Sequence, residues 1–303
     1  MELYAPSYYK RFKCIADKCQ NSCCVNWEID IDDASYEKYC SLDDSIGESI
    51  TEEDGVRCFK LSEDGRCPHL NPSGLCDIII KYGEDYLTDI CREHPRFYNL
   101  WDGRAEVGIG LVCEEAARLI ITSDERFSLE KIGETEAFSE KPECMREQRD
   151  SVISFVLDAD GGIDAKLSLL EQKYSFSLDI HTVPEWLELL SGLEILDGEW
   201  KRRIDGASVL PKIHNANDLG REFENLLIYF IFRHVSSADS LLNLRSEVAF
   251  SALSVKIIKY LFERSEEPKL QALISVARLY SSEIEYSEDN TAELIFELES
   301  SMI

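Results

Sequence analysis

The stretch Phe223-Glu224-Asn225-Leu226-Leu227-Ile228-Tyr229-Phe230-Ile231-Phe232-Arg233-His234 sets apolar residues at 223, 226, 227, 230 and 231. That is the i, i+3, i+4, i+7, i+8 pattern of an α-helix with one face against a core. Arg233 and His234 close it, where cations meet the negative end of the helix dipole. The same texture extends outward from about Met145. Pro184 sits in a first helical turn after Thr182, and helical patterns run over Leu241–Glu263, Leu270–Tyr286 and Thr291–Met302. Gly161-Gly162, Asp205-Gly206 and Pro268 punctuate them. Residues 145–303 therefore read as an all-helical domain, with its acidic residues mostly on solvated faces.

The first part of the chain reads differently. Ten of the eleven cysteines precede Asp124, and only Cys144 follows. Turn residues interrupt this part at Glu63-Asp64-Gly65, Asn71-Pro72-Ser73-Gly74 and Asp102-Gly103. Val25–Asp32 alternates apolar and polar residues and suits a half-buried strand. Asp32 or Asp33 can cap a short helix through Tyr39, and Asp85–Arg92 and Glu114–Ile121 read as helices. The expected fold class is mainly α: a loop-rich cysteine module with little β over residues 1–124, followed by an α-helical domain.

Composition narrows the function. The 303 residues are about two domains' worth, and 32 Lys and Arg against 59 Asp and Glu leave a net charge of −27. Such a surface repels phosphate backbones, so no nucleic-acid partner is expected. The longest apolar run, Leu226–Phe232, is far short of the roughly 20 residues of a membrane span, so no transmembrane segment is expected. The opening Met1-Glu2-Leu3-Tyr4-Ala5-Pro6 has no export-signal pattern, which suggests a cytoplasmic protein whose thiols stay reduced. The oligomeric state is left open.

In a reducing compartment, clustered cysteines point to metal or redox chemistry. The candidate ligands are Cys14, Cys19, Cys23 and Cys24 in one group and Cys67, Cys76, Cys91 and Cys113 in a second. Thiolates a few residues apart in one loop can converge on one centre at bond lengths of about 2.3 Å. Cys40, Cys58 and Cys144 lie outside these groups and read as packing residues. The spacing lacks the paired regularity of a zinc site and supplies more thiols than one tetrahedral zinc uses, which favours an iron–sulfur cluster, with zinc as the alternative. His69 and His94, the two histidines near cysteines, are either ligands, supporting donors or ordinary loop residues; His181, His214 and His234 read as structural or solvent-facing. Arg92 and Arg96 either offset thiolate charge, bind a carboxylate or form surface ion pairs.

The residues Tyr9-x2-Phe12-x-Cys14-x4-Cys19-x3-Cys23-Cys24-x2-Trp27-x-Ile29-x-Ile31-Asp32, continuing to Tyr39, resemble the opening of the flagellin lysine-N-methylase (FliB) family, a branch of the wider CxxCxxCC iron- or zinc-chelating superfamily. The later cysteines of that superfamily are similar to Cys67-Pro68-x-Leu70, Gly74-Leu75-Cys76-x-Ile78 and Cys91-Arg92-x2-Pro95-Arg96. Two helical stretches also resemble the methylases: Phe223–Leu227 through Phe232-Arg233-His234, and Ile284-Glu285-x-Ser287-x2-Asn290. The superfamily's tighter CxxC spacing is loosened here to x4 and x3. The resemblance implies transfer of methyl groups from S-adenosylmethionine to lysine side chains of flagellin, with a 4Fe-4S cluster held by the cysteine motif.

Other methyltransferase frameworks are not legible. Gly108-Ile109-Gly110 is the nearest approach to a glycine-rich nucleotide turn, and it reads instead as a close backbone approach near the cluster. The CxxxCxxC loop of radical S-adenosylmethionine barrels is missing. One arrangement consistent with the thiols has three cysteines holding the cluster while an open iron takes the amino and carboxylate groups of S-adenosylmethionine. Trp27, Tyr36, Phe97, Tyr98 and Trp101 either line an aromatic slot for a cation or pack in the core. Two non-methylating alternatives remain: a zinc- or iron-chelating module whose helical domain binds a partner, and a thiol-based electron carrier.

Overall fold

The computed structural model describes residues 1–42, 46–53, 55–137, 139, 141–236, 240–300 and 302. Helix accounts for 56% and strand for 12%, so the chain is mainly α, as its periodicity indicates. In chain order the strands are β1 (Glu2–Pro6), β2 (Ile50–Glu53), β3 (Val56–Phe59), β4 (Arg96–Trp101), β5 (Arg104–Ile109) and β6 (Leu129–Glu134). The short early helices are α1 (Asp33–Ser41), α2 (Asp77–Tyr82), α3 (Asp89–Glu93) and α4 (Glu114–Ile121). The later ones are α5 (Glu143–Asp158), α6 (Ile163–Tyr174), α7 (Val183–Gly192), α8 (Gly198–Ala207), α9 (Gly220–His234), α10 (Leu241–Glu263), α11 (Lys269–Tyr280) and α12 (Glu288–Ser300). Ser301 and Ile303, inside the last expected helix and domain, lie outside the described residues.

Two compact units interleave along the chain. The helical unit comprises Met1–Phe12, Phe97–Val112 and Ala116–Ile303; the cysteine unit comprises Lys13–Arg96 and Cys113–Glu115. A single cut near residue 124 does not separate them.

In the helical unit, α10 packs against α6, α9, α11 and α12. Helix α9 is buried beyond its expected stripe. Ile228, Tyr229 and Phe232 are each at most 1% exposed, like Phe223, Leu226, Leu227, Phe230 and Ile231, so this is a core helix rather than a one-faced surface helix. Helix α7 begins with a reciprocal cap between Thr182 and Glu185, with Pro184 in its first turn as anticipated. The helix expected over Leu270–Tyr286 ends as α at Tyr280 and continues through a π turn at Ser281–Glu285.

The same unit holds a four-stranded sheet in the order β4-β5-β1-β6, with β1 parallel to β5 and antiparallel to β6. Its strands escape a period-two reading because β5 is buried on both faces, Ala105 through Ile109 without a break. Even Glu106 is enclosed there, bonded to Arg149 Nη2 at 3.1 Å and to the Trp101 ring N–H at 3.2 Å.

In the cysteine unit the expected strand over Val25–Asp32 is not formed. Ile29 and Ile31 are buried as the alternation requires, but only isolated bridges tie the segment, Val25 to Arg66 and Asp30 to Cys58, and Asn26 has a left-handed φ of 62°. Helix α1 is capped by Asp32, whose Oδ1 accepts from Ser35 N at 2.9 Å. The other oxygen accepts from Asp89 N at 2.9 Å, so one carboxylate serves the first turns of both α1 and α3. The helix expected over Asp85–Arg92 is broken: a 3-10 turn covers Glu84–Tyr86, and Thr88 then caps α3. Strands β2 and β3 pair antiparallel, Ile50 opposite Phe59.

Candidate functional site

All eleven cysteines are free thiols. The eight expected ligands all fall within the cysteine unit, and its loops gather them into two groups. Cys24 is joined to Cys67 by the Cys67 N to Cys24 O hydrogen bond at 2.9 Å. The turn before Cys67 docks against the same segment: Asn26 N donates to Gly65 O at 2.8 Å, and a Cβ on Gly65, at φ +73°, would fall 2.0 Å from Asn26 Oδ1. Asn71-Pro72-Ser73-Gly74 folds back through Gly74 N to Asn71 O at 2.9 Å, and the Leu70–Cys76 bridge delivers Cys76 beside Cys67. Cys91 is held by its N–H bond to the Thr88 hydroxyl, 3.3 Å. Cys67 belongs to the unit's buried core cluster, and Cys24, Cys76 and Cys91 pack against that cluster.

Cys14, Cys19, Cys23 and Cys113 form the other group. Its organiser is Glu114, the first residue of α4, whose Oε2 accepts from Gln20 N at 2.9 Å, Asn21 Nδ2 at 3.3 Å and the Cys19 thiol at 3.7 Å. That grip brings Cys113 to the 19–23 loop. Cys14 and Cys23 are exposed, Cys19 and Cys113 half-buried. Among the described residues no three His, Cys, Asp or Glu side chains stand in a ready coordination shell, so metal binding would draw sulfurs together from these packed positions.

The electrostatics follow the same grouping. Cys67, Cys76 and Cys91 each feel Cys24, whereas Cys19 feels Cys113, and Cys23 feels Cys24 first and then Cys14 and Cys113. The two groups meet at the Cys23-Cys24 dipeptide. There the Cys23 thiol donates to Cys24, and with Ser22 and the Arg66 charge it outweighs burial and brings Cys24 down to about 7. The same bond pushes Cys23 far up. Burial pushes Cys67 up to about 12 and Cys19 and Cys91 up to about 11. Glu114 and Arg66 were not among the expected site residues; the one legible signal was that each stands beside a cysteine, Cys113 and Cys67.

The remaining candidates have their own partners. His69 Nε2 lies 2.9 Å from the Ser49 hydroxyl, with its ring edge-on to Phe59. His94 follows α3, and burial pushes it down to about 4. Arg92 pairs with Asp89 on the same short helix, and Arg96 donates to Arg92 O at 3.0 Å. Cys40 is exposed on α1, Cys58 is buried in β3, and Cys144 is exposed on α5. Trp27 and Tyr36 belong to the cysteine unit, and Phe97, Tyr98 and Trp101 to the helical one. Gly108 does mark a close approach, but to the Phe97 ring and not to the thiols: a Cβ there would sit 2.2 Å from Phe97 Cζ.

A second polar constellation lies inside the helical unit, where the two helical motifs meet. His234 Nε2 is 2.6 Å and Arg233 Nε 3.2 Å from Glu285 Oε1, and Glu285 is fully buried in the π turn. The Tyr229 hydroxyl accepts from Arg233 Nη1 at 2.9 Å and Leu111 N at 3.1 Å, and donates to Glu285 at 3.2 Å. The Arg233 guanidinium lies 4.9 Å from the ring centres of both Phe97 and Tyr286. Burial works to raise the Glu285 carboxyl, but the Arg233 charge and the His234 bond overcome it and hold it ionised; burial in turn lowers His234. His234 is therefore a half-buried network member, as a structural reading expects, and not simply solvent-facing. Asn225 and Asn290, from the same motifs, satisfy backbone carbonyls: Ser123 O at 2.8 Å and Glu283 O at 2.8 Å. Tyr229 was legible only as an apolar-run residue.

No family model matches the chain. No solved structure matches it. The flagellar biosynthetic protein FliU of Salmonella muenchen is 24% identical over 144 residues, covering 44% of this chain and 83% of that protein. Proteins named lysine-N-methylase from Salmonella typhimurium and Salmonella choleraesuis are each 23% identical over 134 residues, covering 41% of this chain. The aligned part spans 33% of the length of those methylases. Over about two fifths of its length the chain is a distant homologue of FliU and of lysine-N-methylases.

Proposed function

We propose that the chain is a protein-lysine N-methyltransferase that acts on flagellin in the cytoplasm, takes its methyl group from S-adenosylmethionine and depends on a 4Fe-4S cluster in the cysteine unit. The observation that carries this reading is the similarity to proteins named lysine-N-methylase, joined to that of a flagellar biosynthetic protein. The gathering of eight thiols in one unit supports the metal part. When bound, the cluster would supply soft iron able to take the amino and carboxylate groups of S-adenosylmethionine. The reaction moves a methyl from the sulfonium to a neutral lysine amine, leaving S-adenosylhomocysteine and one proton. A lysine ordinarily titrates near 10.4, so the site must desolvate the ammonium or take up its proton.

Incubation of the anaerobically purified chain with flagellin and labelled S-adenosylmethionine tests this directly. Methyl-lysine should appear on flagellin. Cys23→Ser should abolish cluster content and transfer together, and Cys144→Ser should leave both intact. Absence of transfer by cluster-loaded protein would refute the enzyme. A second reading, a non-catalytic zinc- or iron-chelating module with a helical partner-binding unit, draws on the alignment covering only 33% of the methylases' length. A colourless protein that holds zinc and transfers nothing would favour it.

A further inference from the structure

We infer that the cleft between α6, α7 and α10 of the helical unit binds a small zwitterion of the α-amino-acid class, its carboxylate on Lys256 and Lys259 and its ammonium on Asp164 and Asp179. The inference goes beyond methyl transfer and does not rest on it. Lys256 and Lys259 lie three positions apart on α10 and so share one face of that helix. The face fronts a cleft of about 220 Å³, with α6 on one side and the start of α7 on the other. Lys259 Nζ is 2.6 Å and 2.9 Å from the two Asp164 oxygens, and Lys256 Nζ is 2.6 Å from Asp179 Oδ1 and 3.2 Å from Leu178 O. Exposure across these pairs is lopsided: the lysine side chains are 19% and 22% exposed, their aspartates 65% and 83%. The ammoniums are therefore the fixed, partly dehydrated floor, and the carboxylates form a rim that can swing out. An ion pair with so exposed a partner holds weakly, so a ligand carboxylate can replace the aspartates on the lysines.

Charge decides the ligand class. Among the described residues, four carboxylates and two ammoniums line the cleft. Glu171 is occupied in accepting from Leu178 N at 2.6 Å, and buried Glu263 pairs with Lys212 Nζ at 2.8 Å. Two groups of each sign remain. A phosphate dianion would face four carboxylates and a simple amine two ammoniums, whereas a ligand with one charge of each sign finds a partner for both. Buried Leu167 and Leu178, with Val183, add an apolar wall suited to an aliphatic side chain. The volume equals that of roughly seven waters at about 30 Å³ each, which matches an amino acid or the amino-acid end of a larger molecule.

The test is calorimetric titration of the full chain with L-leucine and L-methionine, which should saturate one-to-one at a Kd of about 1 mM or below. Isocaproate, which is leucine without its ammonium, and isoamylamine, which is leucine without its carboxylate, should each bind about tenfold more weakly or worse. Lys256→Gln/Lys259→Gln should abolish leucine binding. Should that variant fail to fold, Asp164→Asn/Asp179→Asn alters only rim groups and should weaken leucine about tenfold while isocaproate binds no less tightly. Displacement of leucine by S-adenosylhomocysteine would uphold the site and assign it to the amino-acid end of the cofactor; leucine binding indifferent to S-adenosylhomocysteine would assign it to a free amino acid. Failure of both amino acids to saturate, equal binding of isocaproate or isoamylamine, or undiminished leucine binding by Lys256→Gln/Lys259→Gln would overturn the inference. Leucine binding by a chain that methylates nothing would uphold it while sinking the enzyme, and methyl transfer by a chain that binds no amino acid would do the reverse.

Discussion

In the helical unit, Phe223, Leu226, Phe230, Phe250, Leu253 and Phe262 are all fully enclosed around α9 and α10, whereas among the described residues the cysteine unit's core cluster is smaller, built on Ile29, Ile31, Tyr39, Ile46, Phe59, Cys67 and Ile78 with Cys24, Cys76 and Cys91 against it. Each enclosed Leu or Phe contributes about 1.5–3 kcal/mol by leaving water, so the first interior can hold itself together and even absorb a buried charge network. The second relies on directed ties: the shared Asp32 cap, the Glu114 clamp and the docked Gly65 turn. Dense apolar burial tolerates polar insertions, while a thinner core relies on bonds of defined geometry.

The sharpest challenge to that contrast is Glu285→Ala. Removing the carboxylate strands the Arg233 charge in a dry interior, and the helical unit should lose about 3–5 kcal/mol in denaturant unfolding. A loss below 1 kcal/mol would mean that the network is no part of what the helical core supports. The cysteine unit should instead respond to acid. Burial holds His94 near 4 in the folded chain against 6.5 for the free side chain, so between those values the unfolded state binds the extra proton. Its contribution is complete above pH 6.5 and is lost as pH falls through 4, about 3 kcal/mol in the metal-free chain. Hydrogen exchange over residues 13–96 should report this, and His94→Phe should flatten it; an unchanged acid limb in the variant would break the assignment.

Smaller effects refine the helical side. Gly108→Ala places a methyl 2.2 Å from the Phe97 ring and should cost about 1–3 kcal/mol, partly restored by adding Phe97→Leu. Thr182→Ala removes one half of the α7 capping box and should lower the melting temperature by an amount equivalent to about 1 kcal/mol. An unaltered melting curve would show that α7 is held by packing alone.

The helical half was legible because its apolar residues recur at helical spacing over long windows, as in α9 and α10, and because Thr182 and Pro184 mark a start in side-chain chemistry. The sheet was not. Strand β5 has no exposed face to produce alternation, and Glu106 interrupts its apolar run with a charge whose partner, Arg149, lies 43 positions away. Val25–Asp32 misled in the opposite sense: alternation reports which side chains are buried, and Ile29 and Ile31 are, but pairing also requires an uninterrupted neighbour, which isolated bridges do not supply. The cysteines could be counted and grouped along the chain. Their assortment could not, because it depends on Glu114 reaching back 95 residues to Cys19.

The π turn at Ser281–Glu285 carries a consequence of its own. Since each residue of an α-helix advances the azimuth by about 100°, a segment wound five-to-one instead of four-to-one acts as a phase shifter between α11 and the chain that follows it. Excision of one residue there would let the helix rewind regularly and would swing Glu285 round the axis, away from Arg233 and His234, with no change of side-chain chemistry. Length, as much as composition, is therefore constrained at this point of the chain.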